Sequence, residues 1–165
     1  MKFSIIFLFV SLLILNSCDK GIEPLPAGVG FSGTITFIGT WPEGITRTYL
    51  VVFKNELKTA ADFSPLNIKF ISNEIPYGTT TFPYSSADSA FGSISPGRYE
   101  YIVVAQSKTP TLSLNRADWT VAGIYYNGSD TTKPGVLVVP NNGEAKNINI
   151  SCDFNNPPPQ PPGGN

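Results

Sequence analysis

The chain of 165 residues carries two cysteines, twelve carboxylates and no histidine, and that set limits the chemistry open to it. Acyl-transfer triads need a base that titrates near neutral pH, so without histidine a serine nucleophile would depend on a lysine or a lone carboxylate. The G-x-S-x-G elbow and the P-loop are both absent. Glycoside hydrolysis needs two carboxylates roughly 5 to 10 Å apart. Glu100, Asp118, Asp130 and Glu144 are available, but nothing in the sequence pairs them. Zinc is disfavoured for want of histidine. Calcium could draw oxygen ligands from Asn127-Gly128-Ser129-Asp130 or Asn141-Asn142-Gly143-Glu144, yet neither follows the EF-hand pattern and both have the composition of tight turns. The expectation is no catalytic residue, no metal and no cofactor, with a small hydrolase of unrecognised type as an alternative.

Cys18 has the most defined chemistry. It closes Leu15-Asn16-Ser17-Cys18 behind Lys2 and the apolar run Phe3 to Leu15. A membrane-spanning helix needs about 20 apolar residues. This run stops short at Asn16-Ser17, so it reads as a cleavable h-region with Lys2 as its positive n-region. The arrangement resembles a bacterial lipoprotein signal. That resemblance implies cleavage before Cys18, a diacylglycerol on its thiol and an acyl group on its new amino terminus. Several chains on one residue hold a protein to a bilayer where a single chain binds only marginally. Asp19 comes next. In enteric lipoproteins an aspartate there resembles an inner-membrane retention signal, whereas in Bacteroidetes-like lineages acidic residues after the cysteine resemble a surface-export signal. The expected location is the outer membrane or cell surface, with the periplasmic face of the inner membrane as the alternative.

The formal net charge is −1, or −2 once Lys2 leaves with the signal. Neither value offers the basic footprint that nucleic acid requires, so no nucleic-acid partner is expected and membrane contact is assigned to the lipid on Cys18. With Cys18 in a thioether, Cys152 lacks a disulfide partner. It lies in the alternation Ile148, Ile150, Cys152, Phe154 and reads as a small buried apolar residue.

Four segments position these residues: a signal peptide at 1–17, a tether at 18–29, a β domain at 30–155 and a Pro/Gly-rich tail at 156–165. The tether has Gly21, Pro24, Pro26 and Gly28 with little apolar content. The tail, Pro157-Pro158-Pro159-Gln160-Pro161-Pro162-Gly163-Gly164, favours polyproline II and then disordered coil. Between them, apolar residues alternate with period two and are punctuated by turn residues, which predicts strands. Phe31, Gly33, Ile35 and Phe37 share one face of a first strand. Arg47 to Lys54 is apolar on both faces and reads as central. Pro83 confines Thr79 to Tyr84 to an edge. Asn55 to Ser64 loses the alternation and allows a single short, peripheral helical turn before Pro65. Further strands are expected at Ile68–Ile71, Ala90–Ile94, Arg98–Gln106, Trp119–Tyr126, Gly135–Val139 and Lys146–Phe154. The predicted fold is all-β, a single antiparallel two-sheet Greek-key sandwich of seven to nine strands.

One hairpin carries a further resemblance. Gly92-Ser93-Ile94-Ser95-Pro96-Gly97-Arg98-Tyr99-Glu100-Tyr101-Ile102-Val103-Val104-Ala105 resembles the L-x-P-G-x-Y-x-Y/V signature of carboxypeptidase-regulatory-like and prealbumin-like (transthyretin-like) sandwich domains. Phe31-Ser32-Gly33-Thr34-Ile35-Thr36-Phe37 resembles their first strand. Pro96 sets φ for a tight turn, Gly97 supplies a φ that other residues resist, and Tyr99 and Tyr101 are expected to enter the core side by side. The resemblance implies a noncatalytic module that binds, spaces or stabilises, with some structural relatives binding glycans.

The remaining candidates are aromatic. Trp119, Tyr125 and Tyr126 lie around a predicted strand and Trp41 in a loop, where exposed rings could stack on a sugar or peptide. Adjacent strand residues face opposite ways, so one of Tyr125 and Tyr126 should point outward. The expected function is a lipid-anchored, noncatalytic envelope module that binds a protein partner or acts as a spacer; a glycan-binding surface lipoprotein using these aromatics is the alternative.

Overall fold

The computed structural model describes residues 28–164; Cys18, the signal segment and the tether up to residue 27 lie outside the described residues. Eleven strands make up the described chain: β1 (Gly30–Ile38), β2 (Arg47–Phe53), β3 (Ile68–Ser72), β4 (Thr81–Ser85), β5 (Ser89–Phe91), β6 (Gly97–Tyr99), β7 (Tyr101–Ser107), β8 (Thr120–Ile124), β9 (Leu137–Val139), β10 (Glu144–Ala145) and β11 (Ile150–Asp153). Two short 3-10 turns, Ala60–Asp62 and Arg116–Asp118, are the only helical elements among the described residues. The all-β class and the short helical turn within 55–64 agree with the sequence reading.

The arrangement of the strands does not. Nine of them form one sheet in the order β10-β1-β11-β8-β7-β2-β3-β5, with β4 paired to the other side of β1, while β6 and β9 make a separate ribbon. The first strand runs parallel to β10 and β11 and antiparallel to β4, so the sheet is mixed. The outermost strands, β4 and β5, are separated only by residues 86–88. Four Cα steps limit the gap between Ser85 and Ser89 to roughly 15 Å, so the two ends of the sheet must curl round toward each other. The result is nearly barrel-shaped rather than a clear two-sheet Greek-key sandwich. Alternation of apolar residues reports which face a side chain takes; it carries no information on strand direction or closure.

Burial follows from the curl. Inside lies a core built on Phe31, Ile35, Leu50, Val52, Phe70, Ile102 and Val104, with the β6–β9 ribbon contributing Tyr99, Leu137 and Val139. A second apolar cluster covers the outer face of the same central strands, with Val51, Phe53, Tyr101, Val103, Ala105, Trp119 and Val121. Every residue of β7 is buried, since it sits between β2 and β8 with a layer on each side.

The stretch that carries the family resemblance does not form the expected hairpin, since β6 pairs with β9 and β5 with β3. Gly97 has φ +148°, and the Tyr99 hydroxyl donates to the Ser95 carbonyl at 2.8 Å, clamping the turn. Tyr99 and Tyr101, however, do not enter one core side by side. Pairing breaks at Glu100, where the chain leaves the β6–β9 ribbon and joins β2, so Tyr99 goes to the inner core and Tyr101 to the outer cluster.

The tail is also corrected: residues 156–164 lie as a strap along the outer face instead of forming disordered coil. Gln160 acts as a one-residue strand, its side-chain oxygen accepting from Val121 N–H at 2.7 Å and its amide donating to the Val121 carbonyl at 2.9 Å. β11 meets β8 at a single register pair, Ser151 with Ile124, which leaves that edge of β8 open for Gln160. Proline fixes φ in advance, so the strap loses little conformational entropy on docking.

Candidate functional site

An apolar groove lies on the outer face of the sheet. Side chains at alternate positions of β2 and β7 form its floor: Tyr49, Val51 and Phe53 beside Val103 and Ala105. Leu57 and Phe63, from the connection between β2 and β3, make one wall. Leu112, Leu114 and Trp119, from the connection between β7 and β8, make the other, and Pro161 of the strap joins the lining. The groove is shallow and well filled by its own side chains: its free cavity is about 50 Å³, room for a few water molecules. Leu112 and Leu114 are 58% and 66% exposed on its rim.

One charged group faces this lining. Arg116 is only 6% exposed; it donates to the Trp119 carbonyl and, at 2.9 Å, to that of Pro161, while its Nε is buried without a hydrogen-bond partner. The ion pairs among the described residues are Arg47 with Glu74 and Arg98 with Glu100, so no carboxylate neutralises Arg116 there. Burial pulls the guanidinium pKa below its ordinary value, partly offset by Tyr101.

The aromatic candidates are divided between the two layers. Trp41 belongs to the inner core, 8% exposed, packed at tilted angles among the rings of Phe37, Tyr77 and Phe154, with Nε1 donating to the Thr79 carbonyl at 3.0 Å. Trp119 is 7% exposed in the outer cluster, with Nε1 donating to the Ser113 carbonyl at 2.9 Å. Tyr125 and Tyr126 do face opposite ways, Tyr125 against the inner core and Tyr126 against the outer cluster, and both are half-buried. Burial raises both phenol pKa values. The four rings therefore share no single surface. Tyr126 alone borders a cleft of mixed character, beside Thr131, Asn149, Asp153, Asn156 and Pro157 to Pro159.

The remaining chemistry-bearing groups are held locally. Asp118 accepts from the Ser113 hydroxyl, and Glu100 bonds Arg98 at 3.4 Å. Asp130 accepts from the hydroxyl and amide of Thr132, which hold its carboxyl below the usual range. No cluster of three or more metal-ligating side chains occurs among the described residues. Cys152 is free and fully buried, and burial pushes its thiol up to about 12. The glycine spacing Gly28-Val29-Gly30-Phe31-Ser32-Gly33 runs into strand β1 instead of opening a helix, so it lacks the context of a dinucleotide-binding turn.

Sequence reasoning missed Arg116, Leu112, Leu114 and Pro161 as parts of one site. The available signal was the pair Leu112 and Leu114, two residues apart in an otherwise polar stretch. No family model matches the chain, and comparison with curated proteins and with solved structures finds no match.

Proposed function

We propose that this chain is a lipid-anchored, noncatalytic binding module of the bacterial envelope, held through Cys18 at the outer membrane or cell surface, whose ligand occupies the outer apolar groove. The observation that carries the binding reading is the groove itself: an almost wholly apolar lining on a rigid sheet floor, with two leucines exposed at its mouth. Soluble domains seldom expose contiguous apolar surface without a use for it, and small-ligand sites are concave and mostly apolar. A sugar would find few hydrogen-bond partners there. The anchoring part rests on Leu15-Asn16-Ser17-Cys18, and the module's character on the sequence from Ser95 to Tyr101, which resembles the signature of prealbumin-like domains.

Two measurements test it. Mass spectrometry of the membrane fraction should return an acylated Cys18 peptide, and a chain that retains Met1 and stays soluble would defeat anchoring. A neutral alkyl photoprobe offered to the whole protein should label the peptide spanning Leu112 to Trp119, and Ala105→Phe, which fills the groove floor, should remove that label. Labelling spread evenly over the surface would defeat the groove.

The Tyr126 cleft supports a second reading. One ring beside Asn149, Asp153 and Asn156 is the combination that stacks on and hydrogen-bonds to a sugar. A glycan array whose signal disappears in Tyr126→Ala would favour it over the groove.

A further inference from the structure

We infer that the Tyr126 cleft takes a chain of neutral sugars instead of a single one, the chain running from the ring onto the outer face of β11 and β1. This deepens the sugar reading of that cleft and rests on it. The free cavity there is about 480 Å³, a size that admits a small ligand. The face it opens onto follows from the strand registers. Ile148, Ile150 and Cys152 turn into the inner core, so Asn149, Ser151 and Asp153 turn outward and line the cleft. Beside them on β1, Thr36 is level with Ser151, and the Thr34 amide donates to Asn149 Oδ1 at 2.9 Å. One strand further, on β4, Thr81 is level with Thr36 and Pro83 with Thr34. Neighbouring strands lie about 4.8 Å apart and successive outward positions of one strand about 6.6 Å apart. The face is therefore a lattice of short hydroxyl and amide side chains, at intervals near the span of one sugar ring.

Charge and shape narrow the ligand further. Among the outward side chains of β1, β4 and β11, Asp153 alone is charged. Hydroxyls and amides both donate and accept, as the hydroxyls of a neutral sugar do. A uronate or sulfate would instead meet the Asp153 carboxylate, and no lysine or arginine lines the cleft among the described residues. The outer apolar cluster draws no residue from β1, β4 or β11 and ends at Ile124 and Tyr126. Tyr126 thus stands where the apolar half of the outer surface meets the hydroxylated half, backed by the first and bordering the second. Pro157 to Pro159 line the cleft with it, and their preset φ keeps that side formed before a ligand arrives, which spares the cost of ordering it on binding.

The test titrates the whole protein, in detergent micelles, with neutral disaccharides and hexasaccharides of glucose, xylose, mannose and N-acetylglucosamine, and with hexagalacturonate as the acidic probe. A neutral hexasaccharide should bind about tenfold more tightly than its disaccharide, the gain that one or two added hydrogen bonds provide, and hexagalacturonate should not bind. Thr36→Val combined with Ser151→Ala removes hydroxyls from exposed positions and should erase the advantage of the longer chain while leaving the disaccharide unaffected; Tyr126→Ala should remove both. Equal binding of the two lengths, lost in Tyr126→Ala, would overturn the extended face and leave the sugar reading of the cleft intact. Hexagalacturonate binding as tightly as the neutral chains would overturn the assignment of a neutral ligand. Binding to none of the probes, or binding indifferent to Tyr126→Ala, would overturn both readings. Should Tyr126→Ala fail to fold, the comparisons of length and charge on the unaltered protein still decide.

Discussion

Tryptophans 41 and 119 show how residue type and residue role part company. Both were legible as aromatic surface candidates because they flank predicted loops and strand ends. In the fold each is buried, with its indole N–H donating to a backbone carbonyl. Trp41→Ala and Trp119→Ala should therefore each cost about 3–5 kcal/mol, measured by urea unfolding. Tyr126→Ala, at a half-buried position, should cost far less, which makes it the clean probe of ligand binding. Arg116 was not legible because nothing in a sequence distinguishes a solvated arginine from one roofed by a segment 45 residues later. Cys152 was legible, since its place in an alternating apolar stretch gives burial directly, and burial alone raises the thiol.

At the level of elements, alternation located most strands and both-face burial of β2, while two features escaped it. Parallel pairing of β1 with β11 leaves no trace in the pattern of either strand. The break at Glu100 inverts the face of everything before it, because a period-two pattern has no memory across an interruption. The strap escaped for a different reason: proline-rich composition signals what a segment cannot do in a sheet, and Gln160 supplies the pairing that its prolines cannot. Removing that side chain isolates the effect. Gln160→Ala should lower stability by about 1–2 kcal/mol and leave the Val121 amide without its acceptor. Hydrogen exchange at Val121 should then accelerate well beyond that of Ile102 in the inner core; unchanged exchange would mean that the strap is held by other contacts.

At the scale of the whole molecule, burial raises six acids among the described residues, and Cys152, Tyr84 and Tyr101 are shifted furthest. Cys152 is raised from its ordinary 9.0 to about 12, and burial raises Tyr84 and Tyr101 well above their ordinary 10.0. A folded-state pKa above the unfolded one means that the native state holds its proton more tightly. The stabilisation is complete below the unfolded pKa and is lost as pH rises through the window between the two values. Thermal stability should consequently be insensitive to these groups at neutral pH and fall above about pH 9, by roughly 1.4 kcal/mol per pH unit for each group in its window. Cys152→Ala should delay the onset toward pH 10, at the cost of a small cavity. A melting temperature that stays level to pH 11 would contradict this ordering.

The parallel union of β1 and β11 also has a mechanical meaning. Force entering through Gly30 and leaving through the strap beyond Asp153 pulls these neighbouring strands in opposite directions along their common axis. Their hydrogen bonds, from Ile35 with Ile150 to Ile38 with Asp153, are then loaded together in shear instead of being opened one at a time. Forced unfolding is governed by the unfolding rate, and shared loading keeps that rate low. A domain held at one end and tugged at the other, as in flow or by a bound neighbour, would resist through this seam before its core felt any strain.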